Sequence, residues 1–428
     1  MKRYILIALM FISLAGFSQD NLKLDEAIKI ALEKNYGVLT AKNTSKIAVN
    51  NATIGNAGLL PKLDASASSR FVDTETDSPA GKQDVSNTTN SASLNLSYTL
   101  VNGLGNVYNY KKLQLQSKGS EFKTKLILET TVFTVVKSFY GLATSQDNFK
   151  RAKEMLMISK ERLVRAISKT ELGSASSLDV LNARVDFNKD SVSYINTEKR
   201  FYDSKRRLNM ILSRDINTEF EVDLGEIDFK IFKLDELIKT AFEKNSNYLV
   251  SLVDFEKSNY DLKIANSTLF PTITVGTSYG YNKMNQDYNL GMNNPNAALS
   301  AELRLSWNIF DGKKKSTMRK NAKIGIENSK YKLEEKKLNI QMDISNAFAT
   351  YNNNLKVLAV EKSNLKSAQM NFDQSKEFYN LGQITSTRFR EAQLNLLTAK
   401  NNISAALYSA KVAEMDLNRL CGLIVQAN

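Results

Sequence analysis

The chain has 428 residues and a formal net charge of +13, from 58 Lys and Arg against 45 Asp and Glu. It has no histidine, which removes Ser-His-Asp hydrolysis, Cys-His proteolysis and every histidine metal site, and its one cysteine, Cys421, allows no intrachain disulfide. No paired-carboxylate spacing or glycine-rich phosphate loop stands out, so no catalytic residue, cofactor or metal is expected, and the lysines are scattered as on a solvated surface rather than grouped for nucleic acid.

Residues 1–18 have the form of a secretory signal peptide. Lys2 and Arg3 precede an apolar core from Tyr4 to Gly16, and Ala15, Gly16 and Ser18 supply small residues for cleavage. No cysteine follows, so no lipid anchor is expected. Beyond it no apolar run of membrane-helix length is apparent. An exported chain of this kind is soluble or enters a membrane as a β-barrel.

A helix is expected over about 22–58, with Leu24, Ile28, Ala31 and Leu32 as its apolar stripe and Asp25 and Glu26 in its first turn. Pro61 ends it and opens a strand from Lys62 to Val72. A polar loop is expected over about 73–90. A second strand follows, in which Leu94, Leu96, Tyr98 and Leu100 alternate with Asn95, Ser97 and Thr99 up to the turn at Asn102-Gly103. About 65 helical residues then run to Gly173, roughly 100 Å at 1.5 Å per residue. Leu126, Phe133 and Tyr140 recur there every seven residues, as in a coiled-coil seam. After Gly173 the chain returns as a helix over about 177–212, capped by Ser176 or Ser177. Residues 213–231, with alternating Phe220, Val222 and Leu224, form a non-helical insert.

The order then repeats. LDEAIKIALEKN at Leu24 corresponds to LDELIKTAFEKN at Leu234, an offset of 210, and Tyr98, Gly103 and Gly173 correspond to Trp307, Gly312 and Gly382 at 209. The second half is expected to give a helix over about 232–268 and, after Pro271, a strand with Ile273, Val275, Tyr279 and Tyr281 on one face. A polar loop over about 282–297 follows. Next comes a strand with Leu303, Leu305, Trp307 and Ile309 on one side, stopped at Asp311-Gly312. A long helix with Leu333, Ile340, Ala347, and Ile344, Tyr351, Leu358, Leu365 as stripes ends at Gly382, and a return helix over 385–421 starts at Thr385 or Ser386. The expected organisation is a signal peptide at 1–18, a first repeat at 19–212, an inter-repeat segment at 213–231, a second repeat at 232–421 and a tail at 422–428.

Each strand is long enough to cross a bilayer when tilted, with one apolar face on which Tyr98 or Trp307 would form an aromatic belt. A half-exposed strand of a soluble sandwich gives the same alternation. Export, and the absence of other strands between very long helices, favour the membrane. Four strands cannot close a barrel, so the chain must share one with copies of itself: two chains give eight strands, three give twelve. Lys313, Lys314 and Lys315 would then start a helix at the membrane rim, near lipid phosphates or in solvent.

The duplicated opening, the breaks at Leu60-Pro61 and Phe270-Pro271, SWNIFDG at Ser306–Gly312 and LGSASSLDVLNAR at Leu172–Arg184 together resemble the TolC-type outer-membrane efflux channels, over nearly the whole exported chain. The resemblance implies an α+β membrane protein: a homotrimer with a twelve-stranded outer-membrane barrel, continued through the periplasm by a helical coiled-coil barrel. The turns around Gly173 and Gly382 would form the tip that meets a periplasmic adaptor and an inner-membrane transporter. It also implies a gate in which Asp179 bonds Tyr379. The arginine that often joins this link would stand at Ile384 and is missing, and the family's acidic constriction falls at Arg388 and Glu391. The function implied is passive export of small molecules with no catalysis. A type I protein secretion duct and a soluble periplasmic coiled-coil scaffold are the alternatives.

Overall fold

The structure, a computed structural model, describes residues 21–79, 81–286 and 295–424. The expected signal peptide, the end of the tail and much of the 282–297 loop lie outside them.

Strand β1 (Asn21–Lys23) leads into α1 (Leu24–Lys34) and α2 (Tyr36–Asn51). Strands β2 (Lys62–Ser78) and β3 (Gly81–Asn102) form a hairpin, followed by α3 (Gly105–Glu171) and α4 (Ser177–Ile211). After β4 (Glu221–Asp223) come α5 (Leu234–Lys244), α6 (Ser246–Ser267), β5 (Thr272–Gln286), β6 (Asn296–Ser306), α7 (Lys314–Asn380) and α8 (Ser386–Leu420). Helices α3 and α7 have 67 residues each, and α4 and α8 have 35 each.

The single helices expected over 22–58 and 232–268 are each broken in two, at Asn35 and Asn245. Both asparagines are extended and start the next helix with their side chains. Asn35 Oδ1 accepts from the backbone of Gly37 and Val38 at 2.9 and 3.2 Å, and Asn245 Oδ1 accepts from Tyr248 at 2.9 Å. Their amides donate outward to the last carbonyls of the return helices, Asn35 to Ile211 at 2.8 Å and Asn245 to Leu420 at 2.7 Å. One side chain thereby satisfies two helix ends.

The chain divides by its contacts into two compact units, residues 1–42, 123–248 and 337–428, and residues 43–122 and 249–336. The second unit holds an antiparallel sheet in the order β2-β3-β5-β6. One face carries Leu63, Leu96, Thr277 and Ala301 in one row, Ala65, Leu94, Tyr279 and Leu299 in the next, and Ala67, Ala92, Tyr281 and Ala297 in a third. Leu299, Leu303 and Leu305 are 71, 70 and 64% exposed, so nothing among the described residues covers this face. From Ile273 to Tyr281, the last apolar row before the polar row Ser69, Asn90, Lys283, the band runs roughly 26 Å along the strand at about 3.3 Å per residue. The opposite face is a hydroxyl and amide ladder: Ser66 pairs with Ser93 at 2.9 Å, Ser68 with Ser91 at 2.7 Å, and Ser278 donates to Asn95 at 2.7 Å.

Three expectations for the strands need correction. The loop over 73–90 is strand: β2 and β3 stay paired out to Ser78 and Gly81. Its polarity misled, because a ribbon wet on both faces needs no apolar residues, and Asp73–Ser86 and Glu75–Lys82 bonds hold it across the strands at 2.8 and 2.9 Å. A bulge between Thr99 and Val101 places Val101, not Leu100, opposite Ile273. Strand β6 ends at Ser306, so Trp307 and Ile309 lie beyond the ladder, and the Trp307 indole donates to the Leu269 carbonyl at 3.1 Å. Strand β3 ends at Asn102 and α3 starts at Gly105, and β6 ends at Ser306 and α7 starts at Lys314. Gly103 and Leu104, and Gly312 and Lys313, are left-handed pairs, and a Cβ on Gly103 would meet the Ser267 carbonyl. Lys315 is held by Asp311 and Asn308, while Lys313 and Lys314 are exposed.

In the first unit, β1 pairs in parallel with β4. Ala27 and Ala31 of α1, Phe201 and Leu208 of α4, and Phe220 and Val222 pack on α3. A second cluster joins Leu237 and Ala241 of α5 to Ile340, Ile344 and Tyr351 of α7 and Leu417 of α8, with Cys421 fully buried, its thiol pushed up to about 11 by burial. The buried seam of α3 is Val132, Val136, Phe139 and Ala143. Of the expected seven-residue row Tyr140 is buried in this core, whereas Leu126 and Phe133 are only half-buried. Helix α3 also carries an 18-residue stretch apolar enough by composition to cross a membrane, contrary to the sequence reading. That stretch is 44% buried inside the chain.

Candidate gate at the tips of the helical hairpins

Helices α3 and α4 form one hairpin and α7 and α8 a second. Each turn is closed in the same way. Gly173 and Gly382 are left-handed at φ +70° and +76°, and the following residue donates back five positions, Ser174 to Lys169 and Gln383 to Phe378, both at 2.8 Å. The N-caps of the return helices are Ser176 and Thr385, whose hydroxyls accept from the backbone of Asp179 and Arg388.

The two turns are staggered. Ser386, at the start of α8, bonds Arg162 of α3 at 2.8 Å, Asn380 at the end of α7 lies 3.5 Å from Arg165, and the Tyr379 ring is approached by Arg165 and Lys169 at 5.9 and 6.0 Å. The second turn thus lies beside the last two or three helical turns of α3, not beside its counterpart at 172–176.

Within one chain two of the expected gate residues have other partners. The Asp179 carboxylate accepts from the backbone and hydroxyl of Ser176, at 3.1 and 3.0 Å, as half of a capping box. Tyr379 instead stacks on Phe389, with Phe372 on the other side of Phe389 at 5.9 Å. Arg388 and Glu391 are exposed on α8, beside the buried Phe389 and Ala392. Among the described residues no group of three or more acids, cysteines or histidines is placed to hold a metal.

Sequence reasoning missed a buried charged chain that joins the hairpins. Arg390 of α8 donates to Asp190 of α4 at 2.6 Å and to the Met155 sulfur of α3 at 3.1 Å, and its Nε lies 3.8 Å from Asp186. Asp186 accepts from Arg162 at 3.1 Å, and Arg162 continues to Ser386. The Arg390 and Asp190 side chains are 7 and 9% exposed. Removing one partner of such a pair costs about 3–5 kcal/mol, because the other charge is left buried and unpaired. The available signal was Arg390 standing beside the apolar stripe of Phe389, Ala392 and Leu396. Further along α3, Asp147 accepts from Arg151, Ser404 and Tyr408 at 3.2, 2.9 and 3.1 Å, a second polar link between the hairpins. Burial and the Asp147 charge raise the Tyr408 phenol.

With this geometry the chain was compared with known proteins. The model of the family described as outer membrane efflux protein matches residues 27–214 and again 237–423. Outer membrane protein TolC of Escherichia coli strain K12 is 21% identical over 362 residues, covering 78% of this chain and 70% of that protein. The Campylobacter jejuni CmeC outer membrane channel shares the fold with a TM-score of 0.79 at 18% identity, over 93% of this chain and 85% of that one. The open state of the Neisseria gonorrhoeae MtrE outer membrane channel does so with a TM-score of 0.74 at 16% identity, over 94% and 89%. Two matched segments that together span most of the chain make it a member of the outer membrane efflux protein family, an export duct of the outer membrane rather than an enzyme.

Proposed function

We propose that three copies of this chain close a twelve-stranded barrel. The observation that carries this is the four-stranded sheet, apolar on one exposed face and, among the described residues, open at its edge strands β2 and β6. An open edge in lipid leaves backbone groups unsatisfied at several kcal/mol each, so the edges must meet those of other copies. Three copies leave a lumen, whereas the interior of eight strands is filled by side chains. The duct takes small molecules from an inner-membrane pump through a periplasmic adaptor docked at the Gly173 and Gly382 turns, and the ribbon beyond Ser69 and Asn90 faces the exterior. Tyr98 and Trp307 border the lipid.

In the resting trimer each Asp179 meets a Tyr379 of a neighbouring copy, since within one chain each already has another partner. Three Arg388 side chains line the constriction and favour anions there, partly offset by Glu391.

Native mass measurement of the detergent-extracted protein tests the assembly. Three copies support the reading; two copies, or recovery in a detergent-free soluble fraction, overturn it.

A further inference from the structure

We propose that the Asp190–Arg390 pair is a latch between the two hairpins of each chain, with two registers, and that its exchange sets how far the tip opens. This rests on the duct reading above. Arg390 is the fifth residue of α8, immediately behind the turn that must move, and it is held from both sides, by Met155 of α3 and Asp190 of α4. A buried ion pair is a weak source of stability, and an apolar pair of similar volume serves packing as well or better. Its presence in an otherwise apolar seam therefore calls for another role.

The surrounding atoms indicate that role. Asp190 Oδ2, Arg390 Nε, Arg162 Nε and both amide atoms of Gln393 are buried without a hydrogen-bond partner among the described residues. A polar network serving a single arrangement satisfies its members. Here spare acceptors and donors lie along the path of α8. Asp186 is one helical turn nearer the tip than Asp190, and Arg390 already lies 3.8 Å from it. A slide of the first turns of α8 toward the tip, by less than one helical turn of about 5.4 Å, passes the guanidinium from Asp190 to Asp186, while Ser404, Tyr408 and Leu420 further along keep their partners. The same slide shifts Ser386 past Arg162, which frees Arg162 as Asp186 gains its new partner.

The test uses the full chain, purified in detergent, with single-channel conductance in planar bilayers and hydrogen exchange as separate readouts. Asp190→Asn should raise the conductance step at least threefold with trimer mass unchanged, and should speed exchange in the first turns of α8 but not of α4. The swap Asp190→Arg with Arg390→Asp should restore both. A wild-type step and wild-type exchange in Asp190→Asn overturn the latch. So does a swap as open as the single variant, which would assign the effect to packing. If Asp190→Asn does not assemble, Asp190→Leu with Arg390→Met replaces it, and an unchanged step and exchange there are equally fatal. A wild-type protein without any conductance contradicts the duct reading alone, and the exchange data then decide the latch.

Discussion

The rings of Tyr379 and Phe389 lie 4.8 Å apart at centroid and 9° from parallel, so the last turn of α7 is clamped to the first turn of α8 by a face-to-face aromatic contact. Arg165 and Lys169 of the first hairpin border the same ring. Such stacking contributes about 0.5–1.5 kcal/mol, and each cation about 0.5–1 kcal/mol. Tyr379 therefore has two separable parts, a ring that holds the hairpins and a hydroxyl free for a neighbouring copy. Tyr379→Phe with Asp179→Ala should raise single-channel conductance, and Tyr379→Ala should raise it further. Equal conductance in the two variants would mean that the ring contact does not restrain the tip.

At both turns the glycine is left-handed with open space around the missing Cβ. The cost of substitution is therefore backbone strain without collision, about 1–2 kcal/mol for an ordinary residue. Gly382→Val should lower export, read as increased susceptibility to an exported compound, while trimer mass stays unchanged. Gly382→Asn should be close to wild type, because asparagine tolerates this conformation. Full export by the valine variant would remove the turn from the docking tip.

Asn245 caps α6 and holds the Leu420 carbonyl at once. Asn245→Ala forfeits a cap of about 1 kcal/mol and leaves a carbonyl unpaired at about 1–3 kcal/mol. Thermal denaturation in detergent should show a lower midpoint for this variant. Asn245→Asp, which keeps the cap and loses the donor, should fall between. An alanine variant as stable as wild type would show that solvent replaces both bonds.

Glu129 on α3 is buried, and burial raises its carboxyl above the ordinary range, partly offset by Ser246, Lys125 and Arg419. The folded state thus holds this proton more tightly than the unfolded state. Its contribution to stability is greatest below the unfolded value of about 4.5 and falls as pH rises through the raised folded value. Glu129→Gln should flatten that decline and raise the melting midpoint at pH 7 relative to wild type. A midpoint profile parallel to wild type from pH 4.5 to 7 would exclude the group.

The strands were legible because alternation survives burial on either side: Leu94, Leu96 and Tyr279 show their face in the sequence alone. The duplicated EKN was visible too, yet Asn35 and Asn245 read as helix interior, since each acts by bonding the carbonyl of a residue about 175 positions away. The ribbon beyond Val72 was hidden because a strand in water on both faces has no apolar signature. The stagger of the tips cannot be read from either half: the two turns have the same motif, and the offset shows only in contacts between the hairpins, such as Ser386 with Arg162 and Asn380 with Arg165. The partners of Arg390 lie 200 and 235 positions away, on other helices.

The most direct test of the duct is planar-bilayer conductance of the full chain extracted with detergent. Wild type should give discrete, small steps, with the tips closed at rest, and a reversal potential that favours anions. Arg388→Asp should move that potential towards cations. No steps above the lipid baseline, or the same potential in both proteins, would contradict an export duct narrowed at Arg388.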